Sequence, residues 1–390
     1  MKHSTRRAAI VGAAAVTALV LAGCSSSPSP SSSSSASTDT TSSSAAALTP
    51  VKIQLQWAVQ AQFAGYVEAV KQGYYKDLGL DVTLVPAGSD TVPQDQLAKG
   101  LVDYAVAWVP KALASREAGA KITDVAQFFQ RSGTTQISFK DKGITTIAGL
   151  KGKNVGSWGY GNEFELYAGM TGAGLDPATD VKVVTQAFDM NGFLSGDIDA
   201  AQAMTYNELA QVLESTNPKT GKLYTLADLN VLDWSNLGYG MYQDALWADT
   251  AKLAGDTAYQ DTTTKVVEAT AEGWIYARDH VAQTAADVVA AGSQLGLSHQ
   301  EWQTNEVNKL IWPSPDGLGV IVKAQWDKTV QIAKSTKNGS GDTVIKNTPD
   351  ADAYTNTYVD KALADLKAKG LDVTGAAYQP ITVTLNAGGK

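Results

Sequence analysis

Residues 51–57 (VKIQLQW) alternate between apolar and polar side chains, the two-residue period of a half-buried strand. Phe63, Tyr66, Val67 and Val70 then recur at helical spacing, so a strand feeds a helix. Gly79 stands where a helix would end, and residues 80–85 (LDVTLV) read as the next strand. The series continues with a helix ending before Gly100, a strand at 104–108 (YAVAW), a helix over 111–118 and a strand over 125–130. A second series follows Gly143: strand 154–157, helix 163–170, strand 181–185, short helix 190–195, strand 200–204 and helix 207–214. Alternation of this kind predicts parallel sheets, and its recurrence without a sequence repeat predicts two similar lobes.

Two strand-like segments, 133–139 and 230–242, are where the chain is expected to pass between lobes. Residues 49–138 and 240–390 are assigned to the first lobe, and 139–239 to the second. Beyond residue 250 the apolar spacing is helical, with Val266, Val267, Trp274 and Ile275 on one face, then 281–295 and 354–369. These helices are expected to cover the first lobe. The cleft between lobes is the expected site, since open α/β sheets bind ligands beyond the C-terminal ends of their strands.

The N-terminal segment adds a location. Lys2, Arg6 and Arg7 precede an apolar run, 8–22, that is too short to cross a bilayer and reads as a signal peptide over 1–23. Residues 21–24 (LAGC) are similar to a bacterial lipobox, so Cys24 is the expected lipidation site. Residues 24–48 then read as the lipidated cysteine and a Ser-rich tether, with nothing large and apolar over 25–47 to fold around. Cys24 is the single cysteine, which removes disulfides and thiolate metal clusters. The formal net charge of -8 argues against nucleic acid as a partner.

Little in the chain suits catalysis. His280 and His299 have no metal-ligand spacing, and there is no G-x-S-x-G elbow and no Walker A loop. Gly156, Gly159 and Gly161 follow a strand in an order that is not the dinucleotide fingerprint. No cofactor, no metal and no enzymatic activity are expected. The loops after the predicted strands are instead aromatic. They carry Trp57, Gln62, Phe63, Ser89, Asp90, Trp108, Trp158, Tyr160, Asn162, Glu163, Phe188, Tyr206, Asn207 and Glu208, and these are the candidate ligand-binding residues. The loops 57–63, 87–90, 108–110, 157–163, 188–190 and 206–208 contain no Lys or Arg, which predicts a pocket for a flat, uncharged or weakly cationic ring. Helix N-termini remain an alternative holder of an anion. Trp274, Trp302, Trp312 and Trp326 read as packing, and Trp234, Tyr239 and Tyr242 as a mixture of cleft and hinge.

Taken together, QWAVQAQFAGYVEAVKQGYYKDLGLDV, AGSDTVPQDQLAKGLVDYAVAW, LKGKNVGSWGYGNEFEL and DAAQAMTYNE resemble the binding proteins of ABC importers for thiamine-pyrimidine precursors. That family is related to fungal pyrimidine-synthesis proteins and distantly to taurine, sulfonate and nitrate binders. The resemblance implies an α/β, type II periplasmic-binding-protein fold, two α/β lobes with a hinge and an interlobe cleft. It implies a monomeric, lipid-anchored, extracytoplasmic receptor that hands a small aromatic heterocycle, such as an aminopyrimidine, to an ABC permease and its ATPase. Riboflavin, or an aliphatic sulfonate, taurine or nitrate, is the alternative ligand, and a pyrimidine-synthesis enzyme the alternative activity. Trp57, Gln62 and Phe63 match the family's W-x-x-x-x-Q-F-A-G signature, with Val59 where a proline often stands, and Tyr206, Asn207 and Glu208 match its acidic site. Residues 216–224 (TNPKTGKLY) have no counterpart in the better-known members.

Overall fold

The computed structural model describes residues 47–390. The signal peptide, Cys24 and nearly all of the tether expected from the sequence lie outside the described residues. Ten strands form the framework: β1 (Thr49–Gln54), β2 (Leu80–Val85), β3 (Tyr104–Trp108), β4 (Ile122–Gln127), β5 (Thr134–Phe139), β6 (Asn154–Ser157), β7 (Lys182–Thr185), β8 (Ala201–Met204), β9 (Leu229–Asp233) and β10 (Asp244–Asp249). One sheet has the order β2-β1-β3-β10-β4. In the other lobe β8-β5-β9 and β6-β7 pair separately, and a bridge between Val155 and Ala200 sets β6 beside β8.

The sheets are mixed, not parallel throughout. β1 runs parallel to β2 and β3, and β6 parallel to β7, but β10 is antiparallel to β3 and β4, and β5 is antiparallel to β8 and β9. The reason is where the chain enters each lobe. A strand of a β-α unit ends at the cleft, whereas β5 and β10 follow an interlobe crossing, begin at the cleft and run away from it. The helix after β3 also starts earlier than its apolar pattern suggests, at Val109, because the extended backbone of Trp108 and the fixed φ of Pro110 suit a helix start.

The two crossings are fastened to each other by buried polar side chains. Gln243 Oε1 accepts from Gly133 N at 2.8 Å while its Nε2 donates to Thr134 Oγ1 at 2.7 Å. The carboxylate of Glu165 accepts from Ser132 Oγ at 2.9 Å and from Met241 N at 2.6 Å. Burial raises the pKa of Glu165 to about 7 against those donors. The helix Lys323–Ser335 packs on both Val109–Glu117 and Phe164–Gly172, and so touches both lobes.

The first lobe's core is closed by a 23-residue helix, Thr257–Asp279. Asp256 caps it, accepting from Ala258 N at 3.0 Å and Tyr259 N at 3.1 Å. It crosses the helix Ala64–Lys71 with almost no space between backbones: a Cβ on Gly273 would lie 2.0 Å from the carbonyl oxygen of Gly65. That approach seats Trp274 among Tyr66, Phe128 and Phe129, with ring centroids 6.1–6.4 Å apart. Trp274, Trp312 and Trp326 are all buried. Gly273→Ala gains helix propensity but forces the helices apart, and it should lower stability by about 1–3 kcal/mol. A lower urea midpoint at constant slope is the expected reading, and an unchanged midpoint would show that the crossing yields freely.

Candidate functional site

The loops at the C-terminal ends of β1, β2, β3, β6, β7 and β8 converge on a cavity of about 830 Å³ between the lobes. Of the residues singled out in the sequence, Trp57, Gln62, Ser89, Trp108, Trp158, Tyr160, Asn162, Phe188, Tyr206, Asn207 and Glu208 line it. Phe63, Asp90 and Glu163 do not. Phe63 lies in the first lobe's core with no exposed surface, on the same helical stripe as Tyr66. Asp90 is exposed beside the rim, and Glu163 turns its carboxylate back to accept from Gly161 N at 2.8 Å. Trp234, Tyr239 and Tyr242 also lie away from the lining, Trp234 and Tyr242 without exposed surface.

On the first-lobe wall, Gln56 Oε1 accepts from Trp108 N at 2.6 Å and ties the β1 and β3 loops together. Gln60 Nε2 donates to Gln62 Oε1 at 2.8 Å, and Gln62 Nε2 donates to Asp244 Oδ2 at 2.7 Å. The backbone N of Ala61 is held by the amide oxygens of Gln300 and Gln303 at 2.7 and 2.9 Å. Asp244 is buried and its Oδ1 has no hydrogen-bond partner; burial raises its pKa to about 7, tempered by Gln62, by the nearby Trp108 indole and by Lys111.

Lys111 overturns the expectation of a site without basic residues. It lines the cavity one turn into the helix that Trp108 begins, just past the point at which the sequence reading ended the loop. Its Nζ sits 5.1 Å from the centroid of the Trp108 ring. Burial lowers its pKa to about 8, opposed by the carboxylates of Glu163 and Asp244.

On the second-lobe wall, Gln202 Oε1 accepts from Trp158 N at 3.0 Å, and Gln202 Nε2 donates to the carbonyl of Asn162 at 2.6 Å. These bonds hold a tight turn in which Gly159, Tyr160 and Gly161 all have positive φ. For Tyr160, at φ 54°, the left-handed backbone costs about 1–2 kcal/mol, and its ring is 87 % exposed at the cavity mouth. Phe188 joins the walls: its ring lies 5.0 Å from Trp57 and 6.1 Å from Trp158, nearly parallel to the latter at 19°.

Glu208 starts the helix Glu208–Leu213. It accepts from Met204 N and Asn207 Nδ2, each at 3.0 Å, and burial raises its pKa to about 7 despite those donors and the nearby His299. Asn207 Oδ1 faces His299 Nε2 at 3.1 Å, and His299 Nδ1 faces Glu214 Oε1 at 2.8 Å. His299 sits on the helix Leu297–Ile311, far away in sequence, and no local pattern pointed to it.

The family description NMT1/THI5 like matches residues 60–284, over half of the chain and most of the cavity's walls. The chain belongs to this family. It is 30 % identical over 173 residues to a 4-amino-5-hydroxymethyl-2-methylpyrimidine phosphate synthase of Aspergillus parasiticus, covering 41 % of this chain and 48 % of that one. It is 24 % identical over 151 residues to a Haemophilus influenzae protein named for thiamine biosynthesis, covering 38 % and 48 %. The chain thus spans about half the length of the curated relatives it matches. Among solved structures, a protein of Methylobacillus flagellatus KT assigned as the periplasmic sulfonate-binding protein of an ABC transporter superposes with a TM-score of 0.59, at 16 % identity, over 87 % of this chain and 99 % of that one. That likeness is one of fold. NMT1/THI5-like architecture here is the solute-binding-protein fold of ABC importers.

Protonation at the free Oδ1 of Asp244 breaks no bond, so its raised pKa has a clear stability signature. The folded state holds the proton better than the unfolded state. Its favourable contribution is complete below the ordinary carboxylate pKa, near 3.8, and is lost as pH rises through about 7. Asp244→Asn removes this dependence. Relative to the parent, the variant should gain on the order of 2–4 kcal/mol between pH 4 and pH 8, read from urea unfolding at both values. A constant difference would show that Asp244 is ionised throughout.

Proposed function

We propose that the protein is the lipid-anchored, extracytoplasmic receptor of an ABC importer and that it binds a planar heterocycle, such as an aminopyrimidine, without transforming it. The observation that carries this reading is the cavity itself. Trp57, Trp108, Trp158, Phe188 and Tyr206 line it from both lobes, and one carboxylate, Glu208, is held by two donors at the cavity wall. Aromatic contacts contribute about 0.5–1.5 kcal/mol each beyond buried area, and a ring N–H or amine donating to a carboxylate about 1.5–3.

Binding and release follow from the two-lobe construction. A solute that touches both walls has higher affinity for the closed arrangement and shifts the population toward it, and the closed form is the one a permease can recognise. The lining includes no histidine and no cysteine, which favours holding over turnover. The names of the curated relatives, one a pyrimidine phosphate synthase and one a thiamine biosynthesis protein, favour a pyrimidine as the ring. Among the described residues no helix is long and apolar enough to cross a membrane. Membrane association in this reading rests on acylation of Cys24, reached through the tether over 24–48.

Two experiments address the two halves of this reading. Glu208→Gln should weaken 4-amino-5-hydroxymethyl-2-methylpyrimidine at least about tenfold, or ~1.4 kcal/mol, in calorimetry, a loss larger than any change in unfolding free energy. Equal affinities would take Glu208 out of the site, and conversion of the bound pyrimidine would replace the receptor by an enzyme. Cys24→Ala should move the protein from the membrane fraction to the soluble fraction of its host. Undiminished sedimentation with membranes would remove the anchor.

A further inference from the structure

We infer that Lys111 makes one end of the cavity an anion-accepting pole, so that the solute is a planar ring bearing a carboxylate, sulfonate or phosphate substituent. The inference rests on reading the cleft as a solute site, and it narrows the class of solute.

The ammonium of Lys111 makes no hydrogen bond and no ion pair among the described residues, although its side chain is half-buried at the cavity wall. No carboxylate oxygen comes within 4.0 Å of its ammonium; Glu163 and Asp244 act on it only at longer range. Glu163 is committed to Gly161 N, and Asp244 to Gln62. The ammonium has three donors, and the Trp108 face below it supplies attraction but no lone pair. A half-buried ammonium with no acceptor from the protein is placed to take one that enters the cavity, and a charged acceptor makes the stronger bond.

The surroundings favour an anion over a neutral acceptor. Lys111 lies in the first turn of the helix Val109–Glu117, whose N-terminal end adds partial positive charge of the same sign. Ser89 and Thr91 on the adjoining loop add hydroxyls able to donate. Glu208, the other charged group of the lining, belongs to the opposite lobe. A solute with an amine or ring N–H at one end and an acidic group at the other therefore meets opposite charge on both walls, and lobe closure brings both contacts to it. A neutral pyrimidine would satisfy only the Glu208 wall.

The test compares matched probes by calorimetry on the full chain: 4-amino-5-hydroxymethyl-2-methylpyrimidine with its phosphate ester, benzamide with benzoate, and benzenesulfonamide with benzenesulfonate. In the unsubstituted protein at least one anionic member should bind tenfold or more tightly than its neutral partner. Lys111→Arg should keep that preference, and Lys111→Met should reduce it to less than twofold. Comparison of the pairs tells phosphate from carboxylate and sulfonate. Absence of any anion preference in the unsubstituted protein overturns the inference without reference to a variant, and so does a preference that survives Lys111→Met. If the neutral pyrimidine binds tightly and its phosphate adds nothing, the pyrimidine reading stands and the anionic pole falls. If only the benzene anions bind, with dependence on Lys111, the pole stands and the pyrimidine falls.

Discussion

The arrangement of the whole molecule depends on the bonds that clamp its two interlobe crossings together. Gln243 uses both its amide nitrogen and its amide oxygen to join β10's approach to the start of β5, and Glu165 joins the same two segments from the helix Phe164–Gly172. These groups are buried, so removing one partner leaves another unsatisfied at a cost of about 1–3 kcal/mol. Asp244 follows Gln243 directly, and through Gln62 it sets the loop that carries Trp57. The first-lobe wall of the cavity is thus built outward from the hinge.

The second wall is fixed from an unexpected direction. Glu208 and Asn207 belong to the second lobe, but the orientation of the Asn207 amide is set by His299, on a helix of the chain's C-terminal third. His299 is anchored in turn by Glu214, and the carbonyl of Glu214 accepts from Gly388 near the C-terminus. Trp302, on the same helix as His299, donates to the carbonyl of Thr205 at 3.0 Å. The helices beyond residue 250 therefore do more than cover the first lobe: one of them steadies the carboxylate across the cleft.

The succession of strands and helices along the chain, and the number of lobes, were readable from periodicity because each β-α unit is a local pattern; β10 and the order of strands within each sheet were not. Strand direction was not. Whether β5 and β10 run with or against their neighbours depends on which side of the sheet the chain arrives from, and that is a property of the crossings, not of residues 134–139 or 244–249. Most cavity residues were legible because strand-end loops must converge on one edge, and aromatic residues there are conspicuous. Phe63 misled because a strand-end position and a core-facing helical stripe coincide at that residue. Lys111 was missed for the converse reason. It belongs to a helix by pattern, yet the first turn of that helix still faces the cleft. Asp244 and His299 are brought in from far along the chain, and only the folded structure places them.

The ring of Phe188 bridges Trp57 on one lobe and Trp158 on the other. A contact of this kind is worth about 1 kcal/mol, less than twice the thermal energy RT of ~0.6 kcal/mol. It is too weak to hold the two walls together by itself, so at the rim the aromatic bridge adds a bias and not a lock.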